Sequence, residues 1–139
     1  MFISNNHHLA PPLILADIQS LTLTQYDNAT FKCNFQDSQN PQVTPKCKWY
    51  CNNREIQDAG KFIIESKPTL SILDIAEVDL DDAGEYKFVV SNEFGESESV
   101  ATLIVNGAGW YYFFLKIYRQ SGKLSNRHSS TEKTNLSVS

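Results

Sequence analysis

Along most of this chain apolar side chains return at every second residue, and that period decides the fold class. Phe31, Cys33 and Phe35 alternate with polar neighbours in ATFKCNF, Leu21 and Leu23 in SLTLTQYDN, and Cys47, Trp49 and Cys51 in KCKWYCN. A strand points successive side chains to opposite faces, so each of these sets lines one buried face. The runs KFIIES, TLSILDI, EYKFVVSN and SVATLIV follow, separated by turn-rich spacers such as DSQNPQ, DAG and NEFG. Convincing helical periodicity is absent. Seven or so short strands within about 95 residues predict an all-β, two-sheet antiparallel sandwich.

A chain of 139 residues holds one such core with flanks. Residues 1–9 lack apolar alternation and read as a flexible flank, residues 10–106 as the domain, and residues 107–139 as a tail. The tail opens on NGAG and an aromatic run, and 8 of residues 121–139 are Ser or Thr. That composition predicts disorder. Charge divides along the same line: residues 10–106 carry 15 acidic and 7 basic side chains, whereas residues 107–139 carry 5 basic and 1 acidic. An acidic domain offers no basic stripe for a phosphate backbone, so no nucleic-acid partner is expected.

The start, MFISNNHHLAPPLILADI, opens polar and breaks its apolar run at Pro11 and Pro12, unlike a secretory signal. WYYFFLKIY, residues 110–118, is interrupted by Lys116 and falls well short of the ~20 residues of a membrane span. No transmembrane segment is expected. Five consecutive aromatics from Trp110 to Phe114 are unusual in a tail. Docking on the domain, a membrane interface, a protein partner and a misread gene end all accommodate them, and the sequence does not choose.

Chemistry finds little purchase. No nucleophile stands beside a base, no Gly-rich phosphate loop follows a strand, and no carboxylate pair suggests acid–base work. No catalytic residue, cofactor or small-molecule substrate is expected. DLDDAG places Asp79, Asp81 and Gly84 at the first, third and sixth positions of a calcium loop, but Ala83 and Val90 stand where ligands are needed. Cys47 and Cys51 have no second pair for zinc, and His7, His8 and His128 lie in the flanks, so no metal is expected. Asn28 and Asn135 head glycosylation sequons, which matter only in a secreted chain.

PPLILADIQSLTLTQYDNATFKC, KWYCNNREI and TLSILDIAEVDLDDAGEYKFVVSNEFGESESVATLIV together resemble an immunoglobulin domain of the intermediate (I-set) type. The resemblance spans residues 10–106 and implies Greek-key topology. It makes Trp49 the central buried ring, with Cys33 facing it from the other sheet. It places Asp82, Gly84 and Tyr86 in the D-x-G-x-Y of a tyrosine corner, and Leu73 and Leu103 among the core residues. Two positions depart from the pattern. Tyr26 stands where many relatives have Gly in the turn before the second strand, so a different turn shape is expected. Phe88 stands where the second bridge cysteine belongs, so no disulfide is expected there.

The remaining pairings are constrained by geometry. Cys47 and Cys51 sit ~13 Å apart on one extended strand, beyond the ~7 Å that a bridge spans. Cys33 with either of them would need to cross sheets ~10 Å apart in an unusual register. Reduced, buried thiols are the adopted reading, with Phe88 filling the volume of the missing bridge, as suits a reducing compartment. The module resembles those of the titin, twitchin and obscurin group of giant muscle proteins. The resemblance implies a structural and protein-binding module of a giant muscle protein, cytoplasmic and sarcomeric or cytoskeletal, with neighbouring immunoglobulin or fibronectin-type modules as partners. The alternative is an extracellular fragment of an adhesion molecule or receptor.

Overall fold

The computed structural model describes residues 10–37, 44–110, 114–115 and 117–119. The expectations for residues 1–9 and 121–139, including the histidines and Asn135, fall outside these residues. The chain divides into two units, Met1–Gly107 and Ala108–Ser139.

Among the described residues of the first unit, nine strands form two sheets. They are β1 Leu13–Ala16, β2 Leu21–Thr24, β3 Ala29–Gln36, β4 Lys46–Cys51, β5 Arg54–Glu55, β6 Phe62–Lys67, β7 Leu70–Ile75, β8 Gly84–Asn92 and β9 Gly95–Asn106. One sheet has the order β1-β3-β7-β6 and the other β2-β9-β8-β4-β5. All pairings are antiparallel except β2 with β9, which run parallel from Leu21↔Leu103 to Thr24↔Asn106.

A strand not expected from the alternation, β1, precedes the Leu21–Thr24 strand. β1 pairs with β3 in one sheet, and the chain crosses at residues 17–20 to lay β2 against β9 in the other. Ser99 fixes this crossing: its hydroxyl accepts the Ile18 N–H at 3.0 Å and donates to Asp17 Oδ1 at 2.7 Å. Buried Ile18 plugs the gap between the sheets. β5 was also not foreseen. Asn52 and Asn53 have φ of 50° and 68°, the left-handed pair that a two-residue hairpin needs and asparagine tolerates.

Tyr26 has φ 80°. It takes the left-handed conformation that glycine adopts without a Cβ clash. Hydrogen bonds hold it there: Tyr26 N–H donates to the Val78 carbonyl at 2.7 Å, and Val78 N–H donates to the Asp27 carbonyl at 2.8 Å.

Inward parity assembles the core. Phe31, Cys33 and Phe35 of β3, Leu73 and Ile75 of β7, Trp49 of β4, Tyr86, Phe88 and Val90 of β8, and Leu103 of β9 are all at most 1% exposed.

In the second unit, residues 109–110, 114–115 and 117–119 are helical. Residues 110–120 contain neither Gly nor Pro, and Trp110 and Phe114 are four apart, so their rings meet on one helix face at 6.3 Å. No helix among the described residues is long and apolar enough to cross a membrane.

Candidate functional site

Three arrangements in the first unit bear on function: the tie between the sheets, the corner that anchors β8, and the outer edges. The tie is built from rings. Trp49 and Phe88 are direct cross-strand partners, with ring centroids 4.9 Å apart at 45°. Phe35 reaches Phe88 from the other sheet at 5.7 Å, and Phe31 stacks on Tyr86 at 4.9 Å. Such contacts add about 0.5–1.5 kcal/mol each beyond area burial.

A polar link crosses the same gap. Trp49 Nε1–H donates to Ser71 Oγ at 2.9 Å, and Ser71 shares a 2.8 Å hydrogen bond with Ser66 on β6. Ser71 is fully buried and lies opposite Cys33 across the β3–β7 pair. Sequence reasoning passed over it, although Ser71 shares inward parity with Leu73 and Ile75. A serine in that frame signals a buried polar partner.

Cys33, Cys47 and Cys51 are free thiols, the first buried and the others half-buried. Burial, with Asp17 and then Cys47 nearby, pushes the Cys33 thiol up to about 12. Burial also raises Cys47, partly offset by a hydrogen bond with Ser66. Tyr86 is raised too, by burial first and then by Cys51 and Asp82. The native state thus keeps protons that the unfolded chain releases above its thiol value of 9.0. Stability is full below that pH and falls as pH rises from 9.0 towards about 12, by about 1.4 kcal/mol per pH unit for each fully shifted group. Urea midpoints measured across this window should decline, and Cys33→Ala should flatten the slope.

At the corner, a 3-10 turn spans Leu80–Asp82, with Asp79 and Asp82 forming a capping box. The Tyr86 hydroxyl donates to the Asp82 carbonyl at 2.6 Å. The Asp82 carboxylate accepts the Asp79 N–H at 2.7 Å and meets Lys61 Nζ at 2.5 Å. Gly84 has φ 148°, and a Cβ there would lie 2.5 Å from the Asn52 amide group, whose oxygen accepts the Glu85 N–H at 2.9 Å. Asp82, Gly84 and Tyr86 therefore act together, and Lys61 is the member that sequence spacing did not reveal. Tyr86→Phe leaves the buried Asp82 carbonyl without its donor and should cost about 1–2 kcal/mol, read as a shift in the urea midpoint. A midpoint equal to the parent's would remove that hydrogen bond from the account.

The edges are partly closed from within. On β6, Phe62 N–H donates to the Ala59 carbonyl at 3.1 Å and Ile64 N–H to Asp58 Oδ1 at 3.0 Å. On the β1 side, the Pro12 carbonyl accepts from Ser97 Oγ, and the Ala10 carbonyl accepts from Asn92 Nδ2 at 2.8 Å. Thr24 N–H of β2 donates to Asp27 Oδ2 at 3.0 Å. Engaging edge groups in this way blunts strand addition. Among the described residues, no group of three or more His, Cys, Asp or Glu side chains is placed to hold a metal ion.

A four-on-five sandwich with a switched first strand, a central tryptophan and a tyrosine corner is an immunoglobulin-type module. Within that class, residues 12–105 match the Immunoglobulin I-set domain, and the chain belongs to this family. It is similar to the muscle M-line assembly protein unc-89 of Caenorhabditis elegans, with 37% identity over 95 residues that cover 68% of this chain and 1% of that protein. The chain thus spans a very small part of this muscle relative. The solved structure of titin M4 superposes with a TM-score of 0.64 at 30% identity, covering 70% of this chain and 97% of that one. Titin domains Z1Z2 in complex with telethonin give 0.63 at 33% identity, covering 70% and 48%.

Proposed function

We propose that this chain is a non-catalytic structural and protein-binding module of a giant sarcomeric or cytoskeletal muscle protein, carrying tension between neighbouring modules. The observation that supports the reading most directly is the parallel pairing of β2 with β9. The chain enters through β1 and β2 and leaves through β9. Pulling the two ends apart drags β2 and β9 in opposite directions along their common axis. The hydrogen bonds between them are then loaded side by side and fail together, not one after another. Similarity to unc-89 and titin modules supports the muscle setting, and the titin complex with telethonin supports docking of other proteins on such a sandwich.

Force spectroscopy on the full chain tests the reading. Gln25 N–H donates to the Asn106 carbonyl, and the alternation of a strand turns Leu23 N–H the same way. Leu23→Pro removes that donor and should lower the unfolding force, while the β5 variant Glu55→Pro should not. Equal forces in the parent and Leu23→Pro would sink the tension-bearing role. Immunostaining of muscle checks the setting: striations seen only after permeabilisation fit it, and label on intact cells would favour the adhesion alternative.

A further inference from the structure

The outer face of the five-stranded sheet carries a charge pattern with its own symmetry. β8 is the middle strand, flanked by β4 and β9. Lys46 pairs through Ser91 with Glu96, and Lys48 through Val89 with Glu98. One column is thus basic on β4 and the other acidic on β9, about 9.6 Å apart across two strand spacings. All four charged side chains are exposed. The next row holds Tyr50, Lys87 and Val100: Val100 is 45% exposed, and the Lys87 ammonium leans from β8 over Tyr50, 5.2 Å from the ring centre.

A two-fold axis running along β8, in the plane of this face, exchanges β4 with β9 and leaves row order unchanged. We propose that the face binds a second copy of this chain about that axis. Lys46 and Lys48 of each copy then meet Glu96 and Glu98 of the other, with Val89 against Val89 at the centre. Such an isologous contact satisfies both charge columns twice. Lys48 approaches Glu55 only at 3.8 Å with both side chains more than 40% exposed, a weak competitor, and Lys87, which lies on the axis, leans off it over Tyr50. Three strands of a few rows form a patch smaller than the ~800 Å² per partner of a standard interface. The pairing is therefore weak, salt-sensitive and suited to modules held at high local concentration in an array.

Sedimentation equilibrium on the full 139-residue chain tests the proposal with two charge-reversed variants, one Lys46→Glu with Lys48→Glu and the other Glu96→Lys with Glu98→Lys. At low salt the parent should self-associate, and each variant alone should weaken association about tenfold or more, because like charges then face one another. An equimolar mixture of the two should recover it, since each column again meets its opposite. Circular dichroism and thermal melts confirm that these surface changes leave the fold intact. A parent monomeric at millimolar concentration, variants that associate as the parent does, or a mixture that fails to recover would each overturn the proposal.

Discussion

Phe88→Ala should lower the stability of the module by about 3–5 kcal/mol. The side chain is fully buried, faces Trp49 directly across the β4–β8 pair, and meets Phe35 from the opposite sheet. Deleting it removes apolar area and both ring contacts. It also leaves a void that rigid neighbours on two sheets cannot refill, because Trp49 is held by its hydrogen bond to Ser71. The urea midpoint should fall sharply with little change in m-value, and Phe88→Leu should recover most of the loss. A midpoint within experimental error of the parent's would show that the two sheets are held elsewhere.

Asp82→Ala should cost about 2–4 kcal/mol, through a different mechanism. Its carboxylate accepts the Asp79 N–H and pairs with Lys61, with side-chain exposures of 11% and 35% for Asp82 and Lys61. Removing it strands one backbone donor and one partly buried ammonium together. Asp82→Asn keeps an acceptor for Asp79 and should cost less. A double-mutant cycle with Lys61→Met separates the two contributions. If Asp82→Ala costs the same in the Lys61→Met background as in the parent, the ion pair adds nothing and the capping bond carries the loss.

The sandwich was readable because burial on one side of a strand imposes period two, and β3, β4, β7, β8 and β9 obey it over five or more residues. β1 escaped notice because Leu13 and Leu15 are 59% exposed and only Ile14 between them packs inward, so its alternation has no buried face long enough to count. β5 escaped because two residues carry no period, although the Asn52–Asn53 turn was a usable signal. The D-x-G-x-Y spacing located Asp82, Gly84 and Tyr86 because those three lie close in sequence. Their partner Lys61 is 21 residues from Asp82, and no local pattern encodes such a contact. The same limit hid the Trp49–Ser71 bond and the role of Ser99. The charge columns on the outer face were equally hidden, since Lys46 and Glu96 fall in one row, either side of Ser91, only once strand register is known. In the tail, low complexity beyond residue 120 outweighed the uninterrupted segment before it, where aromatic residues four apart favour a helical turn.

The free thiols and the aromatic tie also set how far this module can lengthen. A covalent bridge between positions 33 and 88 would leave the 54 residues between them closed in a loop after unfolding, withholding about 190 Å of extended chain at ~3.5 Å per residue. Rings and hydrogen bonds release everything once they part. Under a load that opens it, the whole domain becomes available as slack, and when the load falls the reduced chain refolds without having to re-form a covalent link.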